Sequence, residues 1–125
     1  MIFKAATIGC GRMGAFGSAT ATEWTPDFWQ PISHLPAIEG CANTLVVAAA
    51  DISGPTRERV TARFDIPCYA TADELFTNHA IDILTLATRT PEKIKLIRQA
   101  LSAGVRGFHI EKPLCNSLME LTELE

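Results

Sequence analysis

Three things are scarce in this 125-residue chain: long apolar runs, clustered positive charge and paired cysteines. Nowhere do eighteen apolar residues follow one another, so no segment reads as a membrane-spanning helix. The formal net charge is −3, and the basic residues are dispersed, with Arg57 to Arg63 interleaved with Glu58 and Glu92 to Arg98 an ordinary amphipathic mixture. That balance speaks against a nucleic-acid partner. Cys10, Cys41, Cys68 and Cys115 include no C-x-x-C pair, and His34, His79 and His109 show no ligand-like spacing to any of them. No zinc site, and no other metal, is expected on these grounds. The short apolar run at the N-terminus is broken by Gly9 and Gly11 before it forms a signal-peptide core, so the thiols are read as reduced and the location as cytoplasmic. Internal repeats and low-complexity tracts are also missing.

What is present is enough for one domain over residues 1–125, and 47% hydrophobic residues supply its core. Apolar runs of strand length alternate with segments of helical periodicity, the pattern of β-α-β units with a parallel sheet. The strands are expected at about Ile2–Ile8, Thr44–Ala50, Ile66–Tyr69, Ile81–Leu86 and Val105–Ile110. Thr44 to Ala50 is apolar throughout, which suits a strand buried on both faces. Helices are expected from near Arg12, from Gly54 to about Phe64 with Pro55 in the first turn, and from a Thr71/Glu74 capping box. Two more run from Thr90 or Pro91 to Ala103 with Gly104 behind it, and over Leu114–Leu124. One stretch breaks the pattern. Trp24 to Pro31 holds both tryptophans and two prolines and reads as an insertion, with a helical piece from Ile32 to Glu39 after it. A packing plug and a lid facing substrate or partner are equally open for it.

The first strand runs directly into Gly9-Cys10-Gly11-Arg12-Met13-Gly14. A G-x-G-x-x-G string alone is a weak signal. Between a strand and a helix it lets backbone amides point at a pyrophosphate, with Gly9 for the tight turn, Gly11 for close approach of phosphate and Gly14 for close helix–strand contact. A glycine-rich turn without a ligand is the plain alternative. Asp51, at the end of the second strand, is placed to accept hydrogen bonds from ribose hydroxyls, although it lies 37 positions after Gly14 where about 20 are usual. Its carboxylate favours NAD over NADP; Arg57 or Arg59 turned back toward Ser53 would soften that preference. Arg12 and Met13 offer amides at the helix start, and Ala87 and Thr88 end the fourth strand where the nicotinamide half would pass. Cys10 is expected to be a neutral packing thiol and His109 a core or helix-packing histidine; His34 and His79 carry no assignable chemistry.

Together with Ala50-Asp51, Ala100-Leu101-Ser102-Ala103-Gly104 and Glu111-Lys112-Pro113, the glycine string resembles the N-terminal domain of the glucose-fructose oxidoreductase and inositol dehydrogenase family, Gfo/Idh/MocA. The resemblance spans Ile2 to about Leu121. It implies a Rossmann-type α/β fold, a doubly wound parallel sheet of about five strands in the order 3-2-1-4-5 with helices on both faces. It also implies Glu111 among the cofactor-site residues and Lys112 as the catalytic residue, near the nicotinamide and the substrate hydroxyl, and a sugar, polyol or related hydroxyl compound as substrate. A cation at Lys112 suits alcohol oxidation, which develops negative charge on oxygen. The Lys112–Pro113 bond is one where a cis peptide is cheap. In the family a Thr-Pro-x-x-x-His run is frequent after the fourth strand; here it is Thr88-Arg89-Thr90-Pro91-Glu92-Lys93, with Arg89 for the proline and Lys93 for the histidine.

The family's second, substrate-binding domain is not among these residues, so the expected role is a cofactor domain completed by a C-terminal domain, a partner chain or a homo-oligomer. A non-enzymatic dinucleotide-binding module and an S-adenosylmethionine-binding domain remain as alternatives.

Overall fold

The computed structural model describes residues 1–17 and 25–125. Five parallel strands, β1 (Phe3–Ile8), β2 (Thr44–Ala50), β3 (Cys68–Tyr69), β4 (Ile83–Leu86) and β5 (Gly107–Ile110), form one sheet in the order β3-β2-β1-β4-β5. The chain crosses outward from β1 in one direction and returns to build outward in the other. That reversal puts the crossover helices on opposite faces. The helices are α1 (His34–Glu39), α2 (Gly54–Phe64), α3 (Ala72–Asn78), α4 (Thr90–Ser102) and α5 (Leu118–Thr122).

Alternation along the strands divides the core in two. Ala6, Ile8, Ala48, Ala50, Leu84 and Leu86 face α3 and α4 and pack with Leu75, Ile97 and Ala100. On the opposite face Ala49 meets Leu35 of α1 and Val60 of α2. Small alanines in β1 and β2 let helices sit close to the sheet, and sandwiching it between two helical layers accounts for the apolar run of β2. Between the layers the Thr7 and Thr85 hydroxyls, both buried, satisfy one another at 2.7 Å.

Local chemistry sets the ends of the elements. Ser53 Oγ accepts from Thr56 N at 3.4 Å at the start of α2, and Asp65 ends that helix in the left-handed region at φ 53°. The capping box of α3 is present in both directions, with Thr71 Oγ1 accepting from Glu74 N and Glu74 Oε2 accepting from Thr71 N, each at 3.2 Å.

Several expected elements are shorter, and β3 keeps only Cys68–Tyr69 of the expected Ile66–Tyr69. β4 starts at Ile83 because Asp82 is drawn into the strand entrance, its carboxylate accepting from Lys4 N at 2.8 Å and its carbonyl from Gly107 N at 3.0 Å. β5 accordingly starts at Gly107. α5 covers only Leu118–Thr122, because Ser117 caps it, its hydroxyl accepting from Glu120 N; the Lys112–Pro113 bond is cis. In the insertion, Asp27–Trp29 forms a single 3-10 turn and α1 begins at His34; Trp24 lies outside the described residues.

Candidate functional site

The strands end in step, which gathers the candidate residues on one edge of the sheet. Gly9 N donates to Ala50 O at 2.9 Å, Ala87 N to Ile8 O at 3.0 Å and Glu111 N to Leu86 O at 2.9 Å. The glycine loop, Asp51, Ala87–Thr88 and Glu111–Lys112 therefore follow four neighbouring strands at their carboxyl ends, the crevice side of an open α/β sheet.

Each glycine of the loop has a distinct steric reason. Gly9 has φ +85°, and a side chain there would meet the Ala87 carbonyl carbon at 2.8 Å. At Gly14 a Cβ would lie 1.7 Å from Gly9 O, so only glycine lets the first helical turn close onto the loop. Gly11 is different: among the described residues nothing lies within 4 Å of where its Cβ would be. Packing among these residues does not call for glycine there, and the free space is what an approaching phosphate requires. The turn that follows is wide, of π type, with Ala15 N and Phe16 N both donating to Gly11 O at 3.0 and 3.1 Å. Gly11 caps it, so the amides of Arg12 and Met13 have no preceding turn to donate to. Both residues are exposed.

Asp51 is oriented by the same loop. Its Oδ2 accepts from Cys10 N at 2.7 Å and its Oδ1 from Ser53 N at 2.8 Å. Arg57 folds back on this turn as well, donating to Asp51 O and Ile52 O, both at 2.9 Å, whereas Arg59 stacks over Phe16 at 4.0 Å. Cys10 is buried, and hydrogen bonding of its thiol to Cys68, with Cys10 as the donor, together with burial pushes that thiol far above the ordinary range. It is the neutral packing residue expected. At the end of β4, Thr88 Oγ1 is buried without a hydrogen-bond partner among the described residues. Among the described residues, the open space beside Gly11, the amides of Arg12 and Met13 without an intrahelical acceptor and the unpartnered hydroxyl of Thr88 fit a dinucleotide laid along this edge.

The sequence model of the oxidoreductase family with an NAD-binding Rossmann fold, Gfo/Idh/MocA, matches residues 3–125. The chain belongs to that family. No curated protein matches the chain as a relative. Among solved structures it is similar to an oxidoreductase from Agrobacterium radiobacter in complex with NAD+, L-tartaric acid and magnesium, at 21% identity and TM-score 0.74, covering 99% of this chain and 32% of that one. It is also similar to the myo-inositol 2-dehydrogenase of Lactobacillus plantarum, at 20% identity and TM-score 0.72, covering 99% and 32%. A mutant 3-ketoreductase from Actinomadura kijaniata in complex with TDP-benzene and NADP matches at 22% identity and TM-score 0.76, covering 99% and 34%. These likenesses concern the fold, and this chain spans about a third of each relative's length.

In this Gfo/Idh/MocA chain the turn after β5 is held from below by a residue that sequence reasoning noted only as a departure. Lys93 of α4 is 1% exposed, and its Nζ donates to Glu111 O and to Pro113 O, the latter at 2.7 Å, bracketing Lys112. Burial pulls its pKa below the ordinary lysine value, with Glu111 acting in the opposite direction. Lys112 itself is exposed, and among the described residues no ion pair joins it to Glu111. The Glu111 carboxylate turns instead to His34, with Oε1 3.3 Å from Nε2.

His34 was given no role by its sequence context and is in fact 4% exposed at the start of α1, where burial lowers its pKa and keeps the ring neutral. His109, expected to be a core or helix-packing histidine, is exposed rather than in the core and packs against α1, with its ring edge-to-face on His34 at 4.7 Å between centroids. Neither contact has a sequence signal, since 75 positions separate the two histidines.

Proposed function

We propose that this chain is the cofactor domain of an NAD-dependent oxidoreductase acting on a sugar, polyol or related hydroxyl compound, with the remaining substrate-binding surface supplied from outside residues 1–125. NAD binding belongs to the family. The observation that carries the site assignment is Gly11, a glycine with no packing reason of its own set between two sterically compulsory ones. On this reading Gly9 and Gly14 shape the loop, Gly11 admits the pyrophosphate, and the amides of Arg12 and Met13 bind it at the positive end of the first turn. Asp51 takes the adenosine ribose hydroxyls. Ala87 and Thr88 line the path of the nicotinamide half, and Glu111 lies on the same edge. The bound dinucleotide supplies the hydride acceptor. Lys112, projecting from a turn that Lys93 fixes, orients the substrate hydroxyl and stabilises negative charge on its oxygen as the proton leaves.

Asp51 supports NAD as the physiological cofactor; Arg57, already folded against the Asp51–Ile52 backbone, leaves NADP usable. All four cysteines are free thiols, which supports a reducing, cytoplasmic setting. Lys112 needs an opposing surface to hold substrate, so a second domain, a partner chain or a further copy completes the enzyme.

The test is a titration of NADH into the folded protein and its Gly11→Val variant. A branched side chain in the open space beside Gly11 should reduce affinity at least a hundredfold while circular dichroism stays unchanged. Equal affinity in the two proteins would remove the dinucleotide assignment, and stronger thermal stabilisation by S-adenosylmethionine than by NADH would replace it.

A further inference from the structure

Beside the cofactor edge, two imidazoles and a carboxylate that the sequence scatters come together. In β5, Phe108 and Ile110 pack into the core on the α3 and α4 side, so His109 and Glu111 alternate onto the other face, where His34 of α1 meets them. One ligand atom from each of His34, His109 and Glu111 lies within 4.8 Å of the other two. We propose that these three residues bind one divalent transition-metal ion, of the class of Zn2+.

The donor set decides the class of ion. Two neutral nitrogen donors and one carboxylate suit zinc, cobalt or nickel, whereas magnesium and calcium prefer all-oxygen shells. The spacing is also suitable. Ligand atoms at roughly 2.0–2.1 Å from a tetrahedral zinc stand about 3.3–3.4 Å apart. His34 Nε2 and Glu111 Oε1 are already 3.3 Å apart, long for a charge-assisted hydrogen bond but right for two ligands of one ion. These two are held by their surroundings, with side chains 3% and 24% exposed, while exposed His109 has the freedom to swing in as the third. A fourth position remains for water, as in an open rather than a closed site.

Two features limit the affinity. His34 Nδ1 is buried without a partner among the described residues, so the proton it carries when Nε2 binds metal is unsatisfied. Lys93 and Lys112 place positive charge nearby, as their effects on His34 and Lys93 show. Dissociation constants on the order of micromolar are therefore expected, weaker than in a closed structural site.

The experiment uses the metal alone. The chain, stripped with chelator and carrying Cys41→Ser to remove the most exposed thiol, is titrated with Zn2+ by calorimetry and with Co2+ by visible absorption. One equivalent should bind with micromolar affinity, and Co2+ should give the d–d bands of a four-coordinate nitrogen and oxygen site without thiolate charge transfer. His109→Ala, at an exposed position, should weaken binding at least tenfold, and Glu111→Gln likewise, with secondary structure unchanged. No binding below 100 μM, or one equivalent bound equally well by His109→Ala, would overturn the assignment. Thiolate charge-transfer bands would do so too, by moving the metal to the cysteines.

Discussion

At the level of single residues, Gly9, Gly14 and Asp51 were legible because each answers a backbone requirement that only one or two residue types meet. Only glycine tolerates φ +85° against the Ala87 carbonyl, and a carboxylate at a strand end beside the loop has backbone amides to accept from. The same single residues make cofactor choice testable. Asp51→Ser removes the charge that would oppose a 2′-phosphate while Arg57 stays against the turn at 2.9 Å. The ratio of NADP to NAD affinity should rise about tenfold, the equivalent of about 1.4 kcal/mol, in parallel titrations. Adding Arg57→Ala should then lower NADP affinity again, because the phosphate loses its cation. A ratio that does not move with Asp51→Ser would place Asp51 away from the ribose. His34 shows where this kind of reading stops: its surroundings come from β5, and nothing within a few residues of it announces them.

At the level of elements, legibility followed the locality of the signal. β2, α2 and α3 have the expected bounds or nearly so, since Ser53, Pro55, Thr71 and Glu74 act within a turn of themselves. The starts of β4 and β5 were missed because Asp82 bonds Lys4 and Gly107, residues remote in sequence, and trims both strands. Lys93 belongs with these misses. Its departure from the family's histidine was visible, but its work, tying α4 to the backbone on both sides of Lys112, needs the folded chain. Replacing it tests that tie. Lys93→Met keeps the length and apolar stem but leaves two carbonyls without their donor, and each acceptor stranded in this way costs about 1–3 kcal/mol. Urea denaturation should show a loss of roughly 2–6 kcal/mol, and proteolysis of the native protein should newly cut near Lys112. Unchanged stability together with an uncut turn would mean that the turn holds itself.

At the level of the whole molecule, the sheet gathers the candidate cofactor residues on one edge, while other surfaces are left without cover among the described residues. Leu118 and Met119 on α5 are 81% and 74% exposed, and Phe28 and Trp29 of the insertion are 82% and 60% exposed and stack edge-to-face on each other alone among the described residues. Surfaces of this kind on a soluble domain mark places where another surface packs. The solved structures that this chain resembles are about three times as long as it is. Hydride transfer needs reacting atoms held roughly 3–3.5 Å apart and shielded from water, and Lys112 is open to solvent. The purified 125-residue polypeptide should therefore bind NADH but produce none from NAD with a panel of sugars and polyols. Sedimentation should show concentration-dependent self-association, reduced by Leu118→Glu with Met119→Glu. Steady NADH production by the monomer would show that one Rossmann domain with its insertion encloses a substrate unaided, and the exposed apolar residues would then need a different explanation.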